Sequence, residues 1–359
     1  MNPVDLRARF PVLEHRAFLN AGTCGPLPAA TVRAMGEILD LAAAEGRAQA
    51  YFESMRDLRA QLRSTYASLL GGDVDDVALT TSTSEGVARV LTGLDLGAGD
   101  EILTATGEHP GLYGPLSAAR AQRGVRVRAV ALGEIADAVT ERTTLVACSH
   151  VSWADGTLVP DLSGLDIPVL LDGAQGIGAV GVDVGALGCT FYAGSGQKWL
   201  CGPVGTGTLW IHPEWRERVR APGPAYLNLA DAGTGLDAAP HPTAQRHDAW
   251  AQSPEVLAGA AASLGVLGDF GWEALHDRAA TLAGALAEAL SANGFDVATR
   301  DRTTLVSWHD PDPPAARARL AEAGVIIRDL PGTGLLRASV GAWNDESDLE
   351  RLLSALGEP

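Results

Sequence analysis

Lys198 is the only lysine in a chain with 27 basic residues, all the others being arginine. Lysine is ordinarily among the commonest residues, so one position kept what the rest of the chain replaced. A guanidinium supplies positive charge but stays protonated and cannot act as an amine nucleophile. A single retained primary amine points to amine chemistry, first of all a Schiff base with a carbonyl. Its surroundings separate it from a surface lysine left by compositional drift. Ser195-Gly196-Gln197-Lys198-Trp199 runs directly into the glycine-rich Gly202-Pro203-Val204-Gly205-Thr206-Gly207.

Two further residues stand upstream at informative spacing. Pro168-Val169-Leu170-Leu171 reads as a buried strand that ends on Asp172, and Gln175 follows three residues later. The carboxyl ends of strands are where α/β sheets bind ligands. A carboxylate, an amide and a lone amine together suit pyridoxal 5'-phosphate (PLP). The carboxylate keeps the pyridine nitrogen protonated, the amide can hydrogen-bond the ring oxygen, and the lysine carries the cofactor. Taken alone, a strand-end Asp is more often a turn or cap residue. Thr81-Ser82-Thr83-Ser84-Glu85 ends another strand and opens a helix. Free backbone N–H groups bind phosphate at such a place, though the same pattern also makes a plain N-cap.

These segments, with Leu171-Asp172-Gly173-Ala174-Gln175, resemble class V aminotransferase-fold enzymes of fold type I. That family includes cysteine desulfurases, cysteine and cystine C–S lyases and isopenicillin N epimerase-like proteins. The likeness runs from Phe18-Leu19-Asn20-Ala21-Gly22-Thr23 to Asn344. It implies that Lys198, Asp172 and Gln175 hold PLP, and that Thr83 and Ser84, helped by Ser195 and Gln197, hold its phosphate. It further implies that His109 stacks on the ring beside Trp153, and that Arg337 pairs with the substrate's α-carboxylate. The Asn20–Thr23 segment resembles the substrate loop of the epimerase-like branch. The resemblance also implies a homodimer with each active site at the subunit interface.

Three departures narrow the reading. Desulfurases carry a nucleophilic cysteine on a loop shortly before the substrate arginine, but Arg328-Asp329-Leu330-Pro331-Gly332-Thr333-Gly334 has none. The desulfurase asparagine after Ser-His-Val-Ser is Trp153 here, as in the lyase and epimerase-like branch. The motif by which a partner's threonine reaches the phosphate is blurred in residues 246–253, leaving Ser253 as the candidate. The expectation is therefore a C–S lyase that eliminates sulfur from Cβ of a cysteine-like or S-conjugate substrate, with Lys198 moving the α-proton. Alternatives are an aminotransferase or epimerase, a desulfurase with a relocated cysteine (Cys24 first), and, last, a non-catalytic PLP-binding protein.

The elements that must position these residues alternate along the chain. Strands are expected at Val77–Thr80, Glu101–Thr104, Val125–Val130, Thr144–Cys148, Pro168–Asp172, Thr190–Ala193 and Thr206–Ile211. Helices are expected at Ser84–Leu94 and Gly111–Arg123. Such alternation predicts an α/β domain with a mostly parallel sheet. Pro222 to Pro242 is read as a long functional loop. Helices at Ser253–Phe270 and Trp272–Asn293 lead to strands at Phe295–Thr299, Thr304–Trp308, Val325–Arg328 and Leu335–Val340. With helices at Pro314–Ala323 and Asp345–Leu356 they make a smaller α+β domain. The division is 15–250 for the large domain, with 1–14 and 251–359 forming the small one.

Composition sets the outer bounds. A net charge of −17 without a basic run disfavours nucleic acid. Four scattered cysteines with no Cys-x-x-Cys pair indicate reduced thiols and no metal site. The charged N-terminus and the lack of a long apolar run point to a cytoplasmic protein away from membranes. Gly176-Ile177-Gly178-Ala179-Val180-Gly181 matches the dinucleotide fingerprint G-x-G-x-x-G. No acidic residue ends a second strand about 20 residues on, so the NAD reading is weak.

Overall fold

The structure is a computed structural model and describes residues 1–357 apart from Pro224. The chain opens with α1 (Pro3–Arg7), the short strand β1 (Ala17–Phe18) and two long helices, α2 (Ala29–Glu45) and α3 (Gln49–Leu70). The central elements follow as β2 (Val77–Thr80), α4 (Thr83–Gly93), β3 (Glu101–Ala105), α5 (Pro110–Arg123), β4 (Arg126–Val130), β5 (Thr143–Ser149), β6 (Val169–Asp172), β7 (Phe191–Ser195) and β8 (Gly207–Ile211). They form one seven-stranded sheet in the order β2-β8-β7-β6-β5-β3-β4. Only β8 runs against its neighbours.

The central strands are apolar on both faces because both faces are covered. Alternate residues serve two cores. Val146, Leu171 and Tyr192 pack with Tyr66 and Leu70 of α3. Ala147, Leu170 and Phe191 pack with Val87 and Val90 of α4 and Leu112 and Leu116 of α5. The carboxyl ends of the parallel strands therefore open together at one rim.

The C-terminal part contains α6 (Pro254–Phe270), α7 (Trp272–Ala292), β9 (Leu305–His309), α8 (Pro313–Glu322), β10 (Val325–Ile326), β11 (Arg328–Leu330), β12 (Leu335–Ser339) and α9 (Glu346–Leu356). An antiparallel sheet β11-β12-β9 packs under α7, α8 and α9 through Leu286, Trp308, Leu320 and Leu352. The N-terminal chain joins this part, since β1 pairs in parallel with β10 and Asn20 bridges to Ser339.

Three segments differ from the sequence expectation or extend it. Phe295–Thr299 forms no strand and keeps only an isolated bridge, Val297 to Trp308. Asp296 is exposed, and Phe295 and Val297 are only half-buried, so this edge lacks the two-sided burial that extends a ladder. The expected loop 222–242 is irregular but braced, with short turns at Tyr226–Asn228 and Ala232–Asp237 and a Leu229–Pro240 bridge. The G-x-G-x-x-G run opens no helix. It forms successive turns, with the Ile177 amide donating to Gly173 O at 3.0 Å, and so lacks the helix N-terminus a dinucleotide needs. No helix among the described residues is long and apolar enough to cross a membrane.

Candidate active site

Lys198 lies in the loop that leaves β7. The Cys201 amide donates to the Lys198 carbonyl at 3.1 Å, and the Gly202 amide donates to Gly196 O at 2.8 Å. Buried Cys201 holds φ at 53°, a left-handed conformation rarely taken by a residue with a side chain. The Lys198 carbonyl, the Ser263 hydroxyl, which donates to Cys201 O at 2.8 Å, and the Trp199 carbonyl, which accepts from the thiol at 3.9 Å, hold that turn in place. Lys198 is half-buried. Burial lowers its ammonium to about 8; Asp172 opposes the shift, and Arg337 and Arg328 add to it.

Asp172 ends β6 and is buried. Its Oδ1 accepts the Ala174 amide at 2.9 Å, a short-range turn that fixes the carboxylate. Burial raises its pKa, against the Lys198 charge and the Ala174 N–H. Gln175 is locked from both ends. Its Nε2 donates to Gly22 O at 2.9 Å, and its Oε1 accepts the Trp199 indole N–H at 2.8 Å. One N–H of the amide therefore remains for a ligand.

The residues expected at the phosphate lie at the start of α4 and around the end of β7. Ser82, not Thr83, caps α4 by accepting the Glu85 amide at 3.1 Å. Glu85 in turn accepts the Thr81 amide and hydroxyl at 2.6 and 2.7 Å. Thr83 Oγ1 is consequently buried without a partner, as are Ser195 Oγ and the Gln197 amide oxygen. Amide oxygen and nitrogen interchange by a flip, so Thr83 at the N-terminus of α4 and Ser195 and Gln197 at and after the end of β7 each leave a polar atom unpaired. The orphaned atoms fit an anion with several oxygens. Ser84 is exposed at the same helix start, and a Cβ on Gly111 would lie 2.5 Å from Ser84 Oγ and 3.0 Å from His109 Nδ1.

His109 caps α5, its Nδ1 accepting the Gly111 amide at 2.9 Å. Burial, with Lys198, Arg328 and Arg337 nearby, lowers it to about 4, so the ring is neutral. Trp153 stands edge-on to it at 5.1 Å between centroids and is held by its indole N–H to Gly107 O at 2.8 Å. The Trp153 carbonyl accepts from Arg337 Nη1 at 2.5 Å. Arg337 is 1% exposed, its Nε has no partner, and burial followed by the Arg328 charge lowers it to about 9.

The Asn20–Gly25 turn stitches these groups together. Thr23 Oγ1 donates to Asn20 Oδ1 at 2.8 Å and accepts from Arg328 Nη1 at 3.2 Å. The Gly25 amide donates to Gln197 O at 2.8 Å. Gly22 must be glycine, since a Cβ there would sit 2.8 Å from Ser339 Oγ and 3.0 Å from both Arg337 Nη2 and Gln175 Oε1. Ser253 stands at the start of α6 with its hydroxyl outside the cap.

Sequence reasoning missed Arg328, Glu108, Ser149 and Trp199. Arg328 is the register partner of Arg337 across β11 and β12, and only the hairpin reveals that. Glu108 adjoins His109 in the chain, a neighbourhood that could have flagged it.

The family whose description is aminotransferase class-V matches residues 17–352, and the chain belongs to that family. Its fold is that of fold type I PLP-dependent enzymes. A probable cysteine desulfurase of Methanothermobacter thermautotrophicus is 33% identical over 256 residues, which is 66% of this chain and 64% of that protein. One from Pseudomonas aeruginosa is 30% identical over 99% of this chain and 97% of its own length. The cystine C–S lyase C-DES, solved with its reaction product cysteine persulfide, superposes with a TM-score of 0.90 at 26% identity, covering 98% of this chain and 100% of that one.

Proposed function

We propose that this chain is a PLP-dependent C–S lyase that eliminates the sulfur substituent from Cβ of a cysteine-derived amino acid, with cystine-like substrates bearing two carboxylates favoured. The observation that carries this is the β11–β12 hairpin. It places Arg328 and Arg337 directly opposite each other and contains no thiol. Like charges facing across a strand pair are destabilising. Neither guanidinium has an acidic partner among the described residues. Two unpaired guanidiniums suit two carboxylates.

PLP, when bound, supplies an electron-accepting ring that stabilises negative charge at the substrate's Cα. Lys198, Asp172 and Gln175 would hold it, with Thr83, Ser84, Ser195 and Gln197 at the phosphate and His109 and Trp153 at the ring. Arg337 fixes the α-carboxylate, which directs the Cα proton toward Lys198. A lysine lowered to about 8 is partly neutral near physiological pH and can take that proton. Asp172 keeps a negative charge for the ring nitrogen, and Asn20 and Thr23 brace Arg328. For a disulfide substrate the balance is one water consumed, with pyruvate, ammonia and a persulfide released.

Incubation of the PLP-loaded protein with cystine and S-conjugates should yield pyruvate and ammonia. Alanine from cysteine would instead identify a desulfurase, and a new amino acid on supplying an α-keto acid would identify an aminotransferase. The desulfurase alternative has one specific support. Cys24 is exposed between Thr23, which holds Arg328, and Gly25, which holds the Lys198 loop. Loss of turnover on Cys24→Ser would favour it.

The active assembly we infer is a homodimer. Val32, Leu39, Phe52, Tyr226, Leu236 and Trp250 are all exposed, and Phe52 and Tyr226 line a groove with Met55 and Leu227. A second copy would cover this apolar surface and bring Ser253 or the 222–242 loop toward its neighbour's phosphate end; light scattering of an active monomer would refute this. The division into 15–250 and 1–14 with 251–359 belongs to the same reading, with β1 and Asn20 better grouped with the C-terminal part that they pair with. Four free cysteines support a reducing, cytoplasmic setting.

A further inference from the structure

The turn after β3 buries Glu108, which is 5% exposed, immediately before His109. One residue occupies both of its carboxyl oxygens. Oε1 accepts the Ser149 amide at 2.7 Å, and Oε2 pairs with the Ser149 hydroxyl. Ser149 ends β5, and its register partner on β6 is Asp172. A second carboxyl thus lies beside the one assigned to the ring nitrogen, and the mechanism above leaves it without a task.

The groups facing Glu108 leave it without a counter-charge. His109 precedes α5 and His150 follows β5, and burial keeps both near 4 and therefore neutral. Burial pushes the Cys148 thiol on β5 and the Tyr192 phenol on β7 well up, so neither is ionised. Asp172 on β6 is the remaining charged neighbour, with Lys198 near it. No cation forms an ion pair with Glu108 among the described residues. Of two neighbouring carboxyls in a dry site, the one with fewer partners for its charge holds its proton to higher pH. Asp172 has the Ala174 N–H and Lys198 to stabilise its charge. Glu108 has the Ser149 and His109 backbone N–H groups but no cation, and the Ser149 hydroxyl accepts a proton as readily as it donates one.

We propose that Glu108 is a positioning residue that keeps the proton of this carboxyl pair, donating it to Ser149 Oγ, so that Asp172 stays ionised for the cofactor's ring nitrogen. Burial and the Asp172 charge agree with this by raising the Glu108 carboxyl to about 7. The proposal rests on the assignment of Asp172 to the ring nitrogen.

Infrared difference spectroscopy of the cofactor-free protein tests it without catalysis. Between about pH 5.5 and about pH 8.5, which brackets a group titrating near 7, a protonated-carboxyl stretch should be lost. That band should shift on carbon-13 glutamate labelling, stay put on aspartate labelling, and be absent in Glu108→Gln. In the PLP-loaded protein the same variant should lose the step near pH 7 in the visible spectrum. A band that shifts with aspartate, or no protonated carboxyl at the lower pH, would overturn the proposal. The labelled wild-type protein decides the matter even if the variant does not fold. Failure of the cofactor reading itself would show separately, as no visible band on adding PLP.

Discussion

Lys198 must be a neutral amine yet sit beside a carboxylate, and these two demands oppose each other. Burial lowers its ammonium to about 8, while Asp172 limits the drop. Lys198→Arg keeps the charge but not the nucleophile. It should abolish the visible band with PLP and reduce turnover by at least about 10²-fold, the lower end of a proton-transfer contribution. Borohydride should fix cofactor to Lys198 and no other side chain; full activity in the arginine variant would sink the mechanism. Arg337→Ala should raise KM by about 10- to 100-fold, since a charge-assisted bond contributes about 1.5–3 kcal/mol, with the cofactor spectrum unchanged. Arg328→Ala should weaken cystine more than an S-alkyl cysteine with one carboxylate, and equal losses on both would remove Arg328 from substrate choice. Lys198, Asp172 and Gln175 were legible because each chemistry needs one residue type at one spacing. Arg328 was not, because its meaning is a register across a hairpin.

At the scale of elements, the rim that carries the site depends on one buried carboxylate. Asp248 is fully buried and accepts from Arg59 Nη2 at 2.5 Å, from Arg63 at 3.0 and 2.7 Å, and from the Leu79 amide at 2.8 Å. It clamps α3 and the 244–248 turn onto β2, directly upstream of Thr83 and Ser84. Removing it leaves two buried guanidiniums without a counter-charge. Asp248→Ala should cost about 3–5 kcal/mol, read as a lower urea midpoint, and should weaken PLP retention. A midpoint shift under about 1 kcal/mol would show that the arginines find other partners. Sequence reasoning singled out this stretch only for Ser253, since the partners of Asp248 lie 185 and 189 residues away. The helix α2 was equally invisible, for a different reason. Its Val32 and Leu39 are exposed, while its face against α6 is made by Ala30, Met35 and the buried Thr31, whose hydroxyl meets Ser263 Oγ at 2.6 Å, so no apolar stripe marks the buried side. The strands of the central sheet were legible because they are apolar on both faces; Phe295–Thr299 alternates like a strand but has only one edge contact to β9.

For the whole molecule the buried histidines set how it responds to acid. His109, His150, His247 and His276 are each held near 4 by burial, against about 6.5 when unfolded. His247 is fully buried, and burial with the Arg89 and Arg246 charges outweighs the Val219 backbone and Asp248 in lowering it. The unfolded chain therefore binds more protons at these sites from about pH 6.5 down to about 4, and stability falls as pH drops through that window. Glu108 works the other way. Its pKa rises from 4.5 to about 7 on folding, so the stability it adds is complete below 4.5 and lost as pH rises through 7. Burial raises Asp172 and Asp76 likewise and lowers His241, so three carboxyls oppose five histidines, and the histidines outweigh them. Each fully buried histidine contributes up to about 1.4 kcal/mol per pH unit. The urea midpoint of the cofactor-free protein should accordingly fall on acidification from pH 6.5 to 4.5. Replacing His247 by leucine should flatten the slope by close to one proton, whatever it does to the midpoint at neutral pH. A midpoint that rises on acidification, or a slope indifferent to His247, would mean that these rings are protonated in the folded protein.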